Sequence, residues 1–493
     1  MSVIAQPSAF FVRAATRACR ITETGLVWAA CVPVIVLTRP LVQQALLGMA
    51  LLDIPLQMNM HVAYRPQPVE FGAVGGFIFS PTTVAVLALY ASWLVTAAVR
   101  AAQRPVLWLK DSIALLAYLG FAVISTLSAY DAAMSFRELF LLFQMLLLHL
   151  YVVAFVRSHR DPQQAVRFVV LLLVVGLILE TALIIGLRNS SQAFTVLGLV
   201  RVQPPGIRSV GGTIGLSNAT GAYISLLLAP ALGLWLTRPS RASRAIIAVA
   251  FAAGCVVLAL TLSRGAWIAV FTSLAIFCLA ARRRGLITMG VPLLAAVGVL
   301  TLALLSYSSM AARIANDEGS AQSRIPLIVT AIDMIKDHPV VGVGPNNYTV
   351  ALRQYGAMYG NWGNWVYTVH NKYLLVWAET GAGGIVAFLC FLLLSIQRGR
   401  RLWRLNDPFV SPIGLGIAAA FAGHMTHMFV DIFNDRASIQ LLWTLAALPV
   451  ALSSIPAQAI AGAWSDAVAA APGKGTRDTG SSGSIWPKPL PEC

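Results

Sequence analysis

Residues 245–281 read AIIAVAFAAGCVVLALTLSRGAWIAVFTSLAIFCLAA, an apolar run of 37 residues that is interrupted only at Ser263-Arg264-Gly265. A transmembrane helix needs about 20 apolar residues, so this run is roughly twice the length of one bilayer crossing. We therefore predict two membrane helices, over 245–261 and 265–281, with Arg264 at the outer membrane edge.

The rest of the chain has a similar composition. Of its 493 residues, 58% are hydrophobic and 11% are charged, whereas globular domains carry about 25% charged residues. Ten further apolar runs predict spans over 25–48, 73–98, 111–128, 138–156, 168–187, 213–236, 286–307, 372–396, 411–430 and 437–455. We expect an all-α integral membrane protein with about 12 transmembrane helices and a single polytopic domain over 1–455.

The net charge of +16 indicates topology rather than nucleic-acid binding. Basic clusters such as Arg282–Arg284 recur in every second loop, as the positive-inside rule requires of cytoplasmic loops. Both chain ends are then inside, membrane lipids surround the spans, and no nucleic-acid partner is expected. The Ala-, Gly-, Ser- and Pro-rich segment 456–493 predicts a disordered cytoplasmic tail.

The longest polar interval, 308–371, is predicted to lie outside, between the ninth and tenth spans. Ser323 can cap a helix that has Pro326 in its first turn. Ile325, Ile328, Ile332 and Ile335 follow at helical spacing, so this partly helical loop is expected to carry a helix on the membrane surface.

The outward-facing segments contain five arginines: Arg201, Arg208, Arg264, Arg324 and Arg353. Each either reaches the lipid headgroups or binds an anion. Arg264 stands alone between two spans, which favours a phosphate or pyrophosphate ligand for its planar fork of donors. Arg208 opens a Gly-rich run to Asn218, which either exposes backbone N–H groups to an anion or permits close helix packing.

His370 is the candidate general base, because an imidazole at an outer membrane surface can accept a proton from a hydroxyl. Asn371 can orient the ring or a sugar hydroxyl, and Glu379 lies deeper in the same helix. Nearby aromatic residues form either an interfacial belt or a surface on which sugar rings stack; they are Tyr348, Tyr355, Tyr359, Trp362, Trp365 and Tyr367.

His424, His427 and Asp431 have a spacing that can ligate a metal. No further ligand is evident in the sequence, so the pattern favours buried hydrogen bonding instead. The six cysteines form no CxxC motif. We expect no metal, no cofactor and no disulfide framework.

Four segments together resemble the O-antigen ligase and polymerase superfamily of bacterial membrane glycosyltransferases. They are Arg208 to Asn218, Ser263-Arg264-Gly265, Ser323 to Gly344, and His370-Asn371-Lys372-Tyr373-Leu374 with Glu379 and Gly381. The resemblance implies a glycan donor on undecaprenyl pyrophosphate in the bacterial inner membrane, with the active site facing the periplasm. The acceptor is a sugar of lipid A core in ligases or of a second lipid-linked glycan in polymerases.

Carried onto this chain, the resemblance implies that Arg208 and Arg264 grip the pyrophosphate and that His370 deprotonates the acceptor hydroxyl, with inversion at the anomeric carbon. Further substrate contacts are expected from Arg324, Arg353, Arg201, Asn371, Asn218, Tyr373 and Glu379. A ligase is favoured and a polymerase is the alternative.

A lipid-linked oligosaccharide flippase or another transporter is the rival from a different class. Transporters place charged groups near the membrane midplane, whereas Glu180, the main intramembrane charge in the first half, lies near the outer third of its helix. The distinctive groups here lie instead at the outer ends of spans.

Overall fold

The computed structural model describes residues 36, 38–66, 72–99, 106, 108–187, 194–196, 200–202, 212–288, 324–355 and 367–453. Arg208, most of the ninth predicted span (286–307), residues 25–35 of the first span and the tail 456–493 lie outside this part. The same holds for three of the aromatic residues, Tyr359, Trp362 and Trp365.

The described chain is mostly helical. Its helices are α1 (Pro40–Leu56), α2 (Pro81–Val99), α3 (Ile113–Ser125), α4 (Ala132–Ser158), α5 (Pro162–Leu187), α6 (Ser217–Leu236), α7 (Arg241–Thr261), α8 (Arg264–Arg283), α9 (Arg324–Asp337), α10 (Tyr348–Tyr355), α11 (Lys372–Arg404), α12 (Val410–His427) and α13 (Arg436–Leu452). Eight helices in this part of the chain are long and apolar enough to cross a membrane. The protein is therefore a multi-pass helical membrane protein, and the count of twelve spans stays a prediction.

Two short antiparallel hairpins accompany the helices. Strand β1 (Met60–Val62) pairs with β2 (Phe77–Phe79), and β3 (Phe194–Val196) pairs with β4 (Val200–Val202). The predicted start of the second span at residue 73 is wrong, because Phe77–Phe79 is extended and the helix begins at Pro81. Proline lacks an N–H and suits the first helical position, whereas hydropathy does not distinguish an apolar strand from a helix.

The first predicted span, 25–48, contains a break at Arg39, and its residues 25–35 lie outside the described part of the chain. Arg39 is the extended N-cap residue of α1 (φ −71°, ψ 130°), and Pro40 is its first helical residue. The helix then continues to Leu56. Pro40 therefore starts a helix instead of lying inside one, because its fixed φ angle is compatible with a helix amino terminus.

The predicted break at Ser263 is confirmed. Helix α7 ends at Thr261, Leu262 adopts a left-handed conformation (φ 52°, ψ 25°), and α8 begins at Arg264. The Ser263 hydroxyl accepts a hydrogen bond from Ala266 N–H at 3.4 Å and caps the new helix.

Helix α12 lies at the centre of the bundle and packs against α6, α8 and α11. Small residues allow this close packing. A Cβ atom on Gly423 would lie 2.3 Å from the carbonyl oxygen of Ala269 in α8, so only glycine fits there. The packing gathers the ends of α6, α8, α11 and α12 into one region. We call this the outer end, following the predicted topology.

Helices α9 and α10, from the predicted outer loop, pack against α11. The helix predicted after Ser323 is confirmed as α9. Its isoleucines do not share one environment, because Ile325, Ile328 and Ile332 are exposed whereas Ile335 is buried. The three exposed isoleucines remain available for the predicted contact with the membrane surface.

Candidate active site

A cavity of about 940 Å³ opens among the loops at the outer end. Five segments line it: residues 57–64 and 72–78 around the first hairpin, 213–219 at the start of α6, 367–370 before α11, and 431–436 between α12 and α13. His370 and Asn218, two of the predicted site residues, are among the lining residues.

His370 is half-buried in the wall of this cavity. Its ring stacks on Tyr367, with the centroids 5.1 Å apart and the planes at 29°. The pKa of His370 is lowered to about 4, mainly by burial and also by the positive charge of Arg324, while a backbone hydrogen bond with Thr368 opposes both effects. The imidazole is therefore neutral near pH 7 and can accept a proton.

Asp431 lines the same cavity and is buried. Its Oδ1 accepts a hydrogen bond from the N–H of Ile432 at 2.8 Å. Burial raises the pKa of Asp431 to about 6, although hydrogen bonding by Ile432 and Asn218 and the charge of Arg324 all favour the ionised form. Its negative charge also raises the pKa of the Tyr367 hydroxyl, after the larger effect of burial.

Arg324 links the outer loop to this site. It is the first residue of α9 and is half-buried. Its charge acts on both His370 and Asp431. Among the arginines described with side chains, Arg324 therefore has the clearest electrostatic connection to the candidate base.

Arg264 lies beside the amino-terminal part of α6. It is exposed at the start of α8, and a Cβ atom on Gly221 of α6 would lie 2.5 Å from Cβ of Ala266. Asn218 is three residues before Gly221, so Arg264 lies near the part of α6 that lines the cavity.

Close packing against the end of α12 explains why a glycine, Gly265, follows Arg264. A Cβ atom there would lie 2.4 Å from Cδ2 of His427 and 2.8 Å from Cγ2 of Val430. The amino terminus of α8 therefore rests directly on the turn that leads to Asp431. A larger residue at position 265 would separate Arg264 from this turn.

The described end of the Gly-rich run is held by Glu180 of α5. Its carboxylate accepts hydrogen bonds from the backbone N–H of Thr213 at 2.9 Å and from the Thr213 hydroxyl. This intramembrane charge thus anchors the loop before α6. Arg208, at the start of the run, lies outside the described residues.

These contacts bring Arg264, Arg324 and His370 to one end of the bundle, and all three lie in a stretch of the chain that a known family shares. Residues 249–392 match the O-antigen ligase family. The resemblance drawn from the sequence motifs is thereby confirmed. A search of curated proteins found no match. The O-antigen ligase match supports a ligase- or polymerase-like membrane glycosyltransferase function in general, with lipid-linked glycans as substrates.

The O-antigen ligase match also covers the loop 338–347 and the helix break that receives it. Gly381 has non-helical angles (φ 69°, ψ −173°) within α11. The N–H groups of Val343 and Gly344 donate to the carbonyl oxygens of Ala378 and Glu379 at 2.9 and 3.0 Å. Loop amides thus satisfy backbone carbonyl groups beside the break, which would otherwise be costly to bury.

Glu379, a predicted substrate contact, is buried beside this break. Its Oε1 accepts the backbone N–H of Tyr348 at 3.1 Å, so the side chain fixes the start of α10. Tyr348 in turn is buried and donates its hydroxyl to Leu327 of α9 at 2.9 Å. The structure therefore places Glu379 in the framework that holds the outer loop.

Asn371 and Tyr373 also make contacts within the protein. Asn371 Oδ1 caps α11 by accepting the N–H groups of Tyr373 and Leu374 at 3.0 Å. The Tyr373 hydroxyl donates to the carbonyl oxygen of Met425 at 2.8 Å. The predicted Arg201 lies in β4 and Arg353 lies in α10; the structure describes only their backbones.

The motif His424, His427 and Asp431 does not form a metal site in the structure. The two imidazole rings are 6.3 Å apart and perpendicular. Among the described residues, no three His, Cys, Asp or Glu side chains are placed to hold a metal ion. Both histidines instead pack against Phe433, with ring centroids 4.8 and 4.6 Å away.

Sequence reasoning missed Lys372, Asn59 and Arg436. Lys372 is buried, donates to Asn434 Oδ1, and lines a small cavity with Glu138 and His424. Arg436 and Asn59 line the large cavity. A charge placed directly before the last apolar run was the available signal for Arg436, whereas Asn59 follows α1 with no distinctive motif.

Proposed function

We propose that this protein is an O-antigen ligase-like glycosyltransferase. It moves a glycan from undecaprenyl pyrophosphate to a sugar hydroxyl of lipid A core, at the periplasmic face of the bacterial inner membrane. One observation carries the proposal: His370 lines a large cavity, its imidazole is kept neutral by burial and by the charge of Arg324, and both residues lie in the stretch that matches O-antigen ligases.

His370 acts as the general base in this proposal. It takes the proton from the acceptor hydroxyl while the hydroxyl oxygen attacks the anomeric carbon of the donor. The bond between that carbon and the pyrophosphate oxygen breaks on the opposite face, so the configuration inverts. Stacking on Tyr367 fixes the plane of the imidazole ring.

The arginines neutralise the charge that develops on the leaving pyrophosphate. Arg264 and Arg208 are assigned this role by the resemblance, and Arg324 joins them because of its electrostatic contact with the site. Fixed guanidinium groups stabilise such charge without moving during the reaction and without a divalent cation.

The acceptor decides between a ligase and a polymerase. Purified protein is incubated in EDTA with lipid-linked glycan and either lipid A core or a second lipid-linked unit. A ligase glycosylates lipid A core, whereas a polymerase extends the lipid-linked unit. A transporter forms neither product, so the absence of both products would overturn the proposal. Restoration of transfer by one metal ion would overturn only its metal independence.

A further inference from the structure

The inner end of the bundle, opposite the outer end, carries a group of exposed arginines on two helices. Both helices begin at the outer end, so their last turns lie at the inner end. The arginines are Arg282 and Arg283 at the end of α8 and Arg400, Arg401 and Arg404 at the end of α11. We call these five residues the inner arginine surface.

A direct contact joins the two helix ends. Arg284, which follows α8, donates from Nη1 to the carbonyl oxygen of Trp403 in α11. Its guanidinium carbon also lies 3.8 Å from the centroid of the Trp403 ring, within the range of a cation–π interaction. Arg283 and Arg404 are the chain neighbours of this pair. The arginines of α8 and α11 therefore form one surface across the junction of the two helices.

The carboxylates at the inner end already have partners. Asp407 Oδ1 accepts the N–H groups of Phe409 and Val410 at 2.8 and 2.6 Å and thereby caps the start of α12. Asp111 forms an ion pair with Arg157 at 2.8 Å. In the described part of the chain, no salt bridge includes any of the five arginines. Their positive charges have no counter-ion among the described residues.

The length of α11 places these charges at the level of lipid headgroups. The helix has 33 residues and would be about 50 Å long at 1.5 Å per residue, whereas the hydrocarbon core of a bilayer is about 30 Å thick. Its last turn therefore extends beyond the hydrocarbon core. Trp403 in this turn is half-buried, and tryptophan is enriched at the membrane interface.

The chemistry of the surface matches a phosphate. A guanidinium group presents a planar fork of donors that can bind two phosphate oxygens at once. Arg400 and Arg404 are four residues apart, so their side chains project from the same face of α11. The positive-inside rule accounts for positive charge in each inner loop, but it does not require that the arginines of two separate loops be joined by a contact.

We propose that the inner arginine surface binds the phosphate headgroup of an anionic phospholipid across the ends of α8 and α11. The headgroup supplies the counter-ion that the described residues lack. Basic surfaces between membrane helices bind anionic headgroups in this way. The bound lipid also links, from the opposite end, the helix that begins at Arg264 to the helix that follows His370.

Native mass spectrometry tests this site without any measurement of glycan transfer, so the result does not depend on the proposed function. Detergent-purified protein is titrated with phosphatidylglycerol or with phosphatidylcholine that has the same acyl chains. The first variant is Arg400→Gln with Arg404→Gln. The second is Arg400→Lys with Arg404→Lys, which keeps the positive charge of the inner loop and carries the test if the glutamine pair does not reach the membrane.

Arg241→Gln with Arg244→Gln is the matched control. These two arginines are exposed at the start of α7, which packs against α5 and α6. The control therefore removes two positive charges from the inner end but leaves the inner arginine surface intact.

We expect the wild-type protein to bind phosphatidylglycerol more tightly than phosphatidylcholine. The glutamine pair should bind phosphatidylglycerol roughly thirtyfold more weakly, because each arginine near an anionic headgroup contributes about 1 kcal/mol. The lysine pair should have an intermediate affinity, since it keeps the charges and loses the forked donors.

The control pair should bind phosphatidylglycerol as the wild-type protein does. Equal binding of the two lipids by the wild-type protein would overturn the proposal. An equal loss in the control and glutamine pairs would also overturn it, because the attraction would then be spread over all inner arginines. Wild-type affinity of the lysine pair would overturn the forked contact with the phosphate.

Discussion

The guanidinium of Arg436 donates to Oδ2 of Asp53 at 2.7 Å, and both side chains are almost fully buried. The two residues are 383 positions apart. Their ion pair joins α13, the last described helix, to α1, the first. Because Arg436 also lines the large cavity, the geometry of the candidate site depends on contact between distant parts of the chain.

Replacement of Asp53 alone should be strongly destabilising. Asp53→Ala leaves the buried guanidinium of Arg436 without its anionic partner, and breaking a buried pair in this way costs about 3–5 kcal/mol. The double variant Asp53→Leu with Arg436→Met should be milder, since no charge remains buried. Thermal unfolding of the detergent-solubilised variants measures both effects. Equal stability of the single and double variants would contradict this assignment.

His370→Ala should abolish glycan transfer while the protein remains in the membrane at the wild-type level. The change removes the proposed base and leaves the Asn371 cap of α11 intact. Product formation from lipid-linked glycan in isolated membranes is the measurement, with immunoblotting as the control for protein level. Full activity of the variant would remove the base assignment.

Arg264→Lys should reduce transfer nearly as much as Arg264→Ala. A lysine keeps the charge but cannot present the planar, forked donors that match a pyrophosphate. The comparison is made at saturating acceptor with the rate of donor consumption as the readout. A wild-type rate for the lysine variant would argue against gripping of the pyrophosphate by Arg264.

Arg324→Gln should move the acid limb of the pH–rate profile to higher pH. The Arg324 charge lowers the pKa of both His370 and Asp431, so its removal raises both values. In the wild-type protein the pKa of His370 is about 4 and that of Asp431 is about 6. In the variant, His370 and Asp431 therefore become protonated at a higher pH. Transfer is measured from pH 4 to 8, and an unchanged limb would show that Arg324 does not act on the site.

Gly381→Ala should lower the thermal stability and prevent the loop 338–347 from docking. The residue has φ 69°, and a Cβ atom would lie 2.0 Å from the carbonyl oxygen of Val340. Gly120→Ala is the matched control, because a Cβ atom there has no neighbour within 4 Å and alanine favours a helix by about 0.5–1 kcal/mol. Limited proteolysis of the outer loop reports docking. Equal protection in both variants would show that the break does not hold the loop.

The sequence predicts most helices well because crossing the hydrocarbon core needs about 20 apolar residues, and a spanning segment must satisfy its backbone hydrogen bonds internally as a helix. The break at Ser263 followed from the length of the apolar run and its polar interruption, helix α9 followed from a capping serine and a proline, and both were confirmed. The strand Phe77–Phe79 was missed because three apolar residues look alike in a strand and in a span.

The candidate site was predictable only where residue chemistry was unusual for its position. His370 and the outer arginines stood out because charges are rare at outer helix ends. Glu379 and Asn371 stood out equally, but their side chains hydrogen-bond to the protein backbone. Glu379 accepts the N–H of Tyr348, and Asn371 accepts the N–H of Tyr373 in α11. Asn59 lies more than 300 positions before His370 in the chain, and only the tertiary fold brings both to one cavity.

The docking of Val343 and Gly344 against α11 also orders the events of biogenesis. The loop leaves the ribosome before residues 378–382, its hydrogen-bonding partners. It can therefore dock only after this part of α11 has been synthesised. The outer end of the bundle is therefore completed only after the first half of α11 has been made.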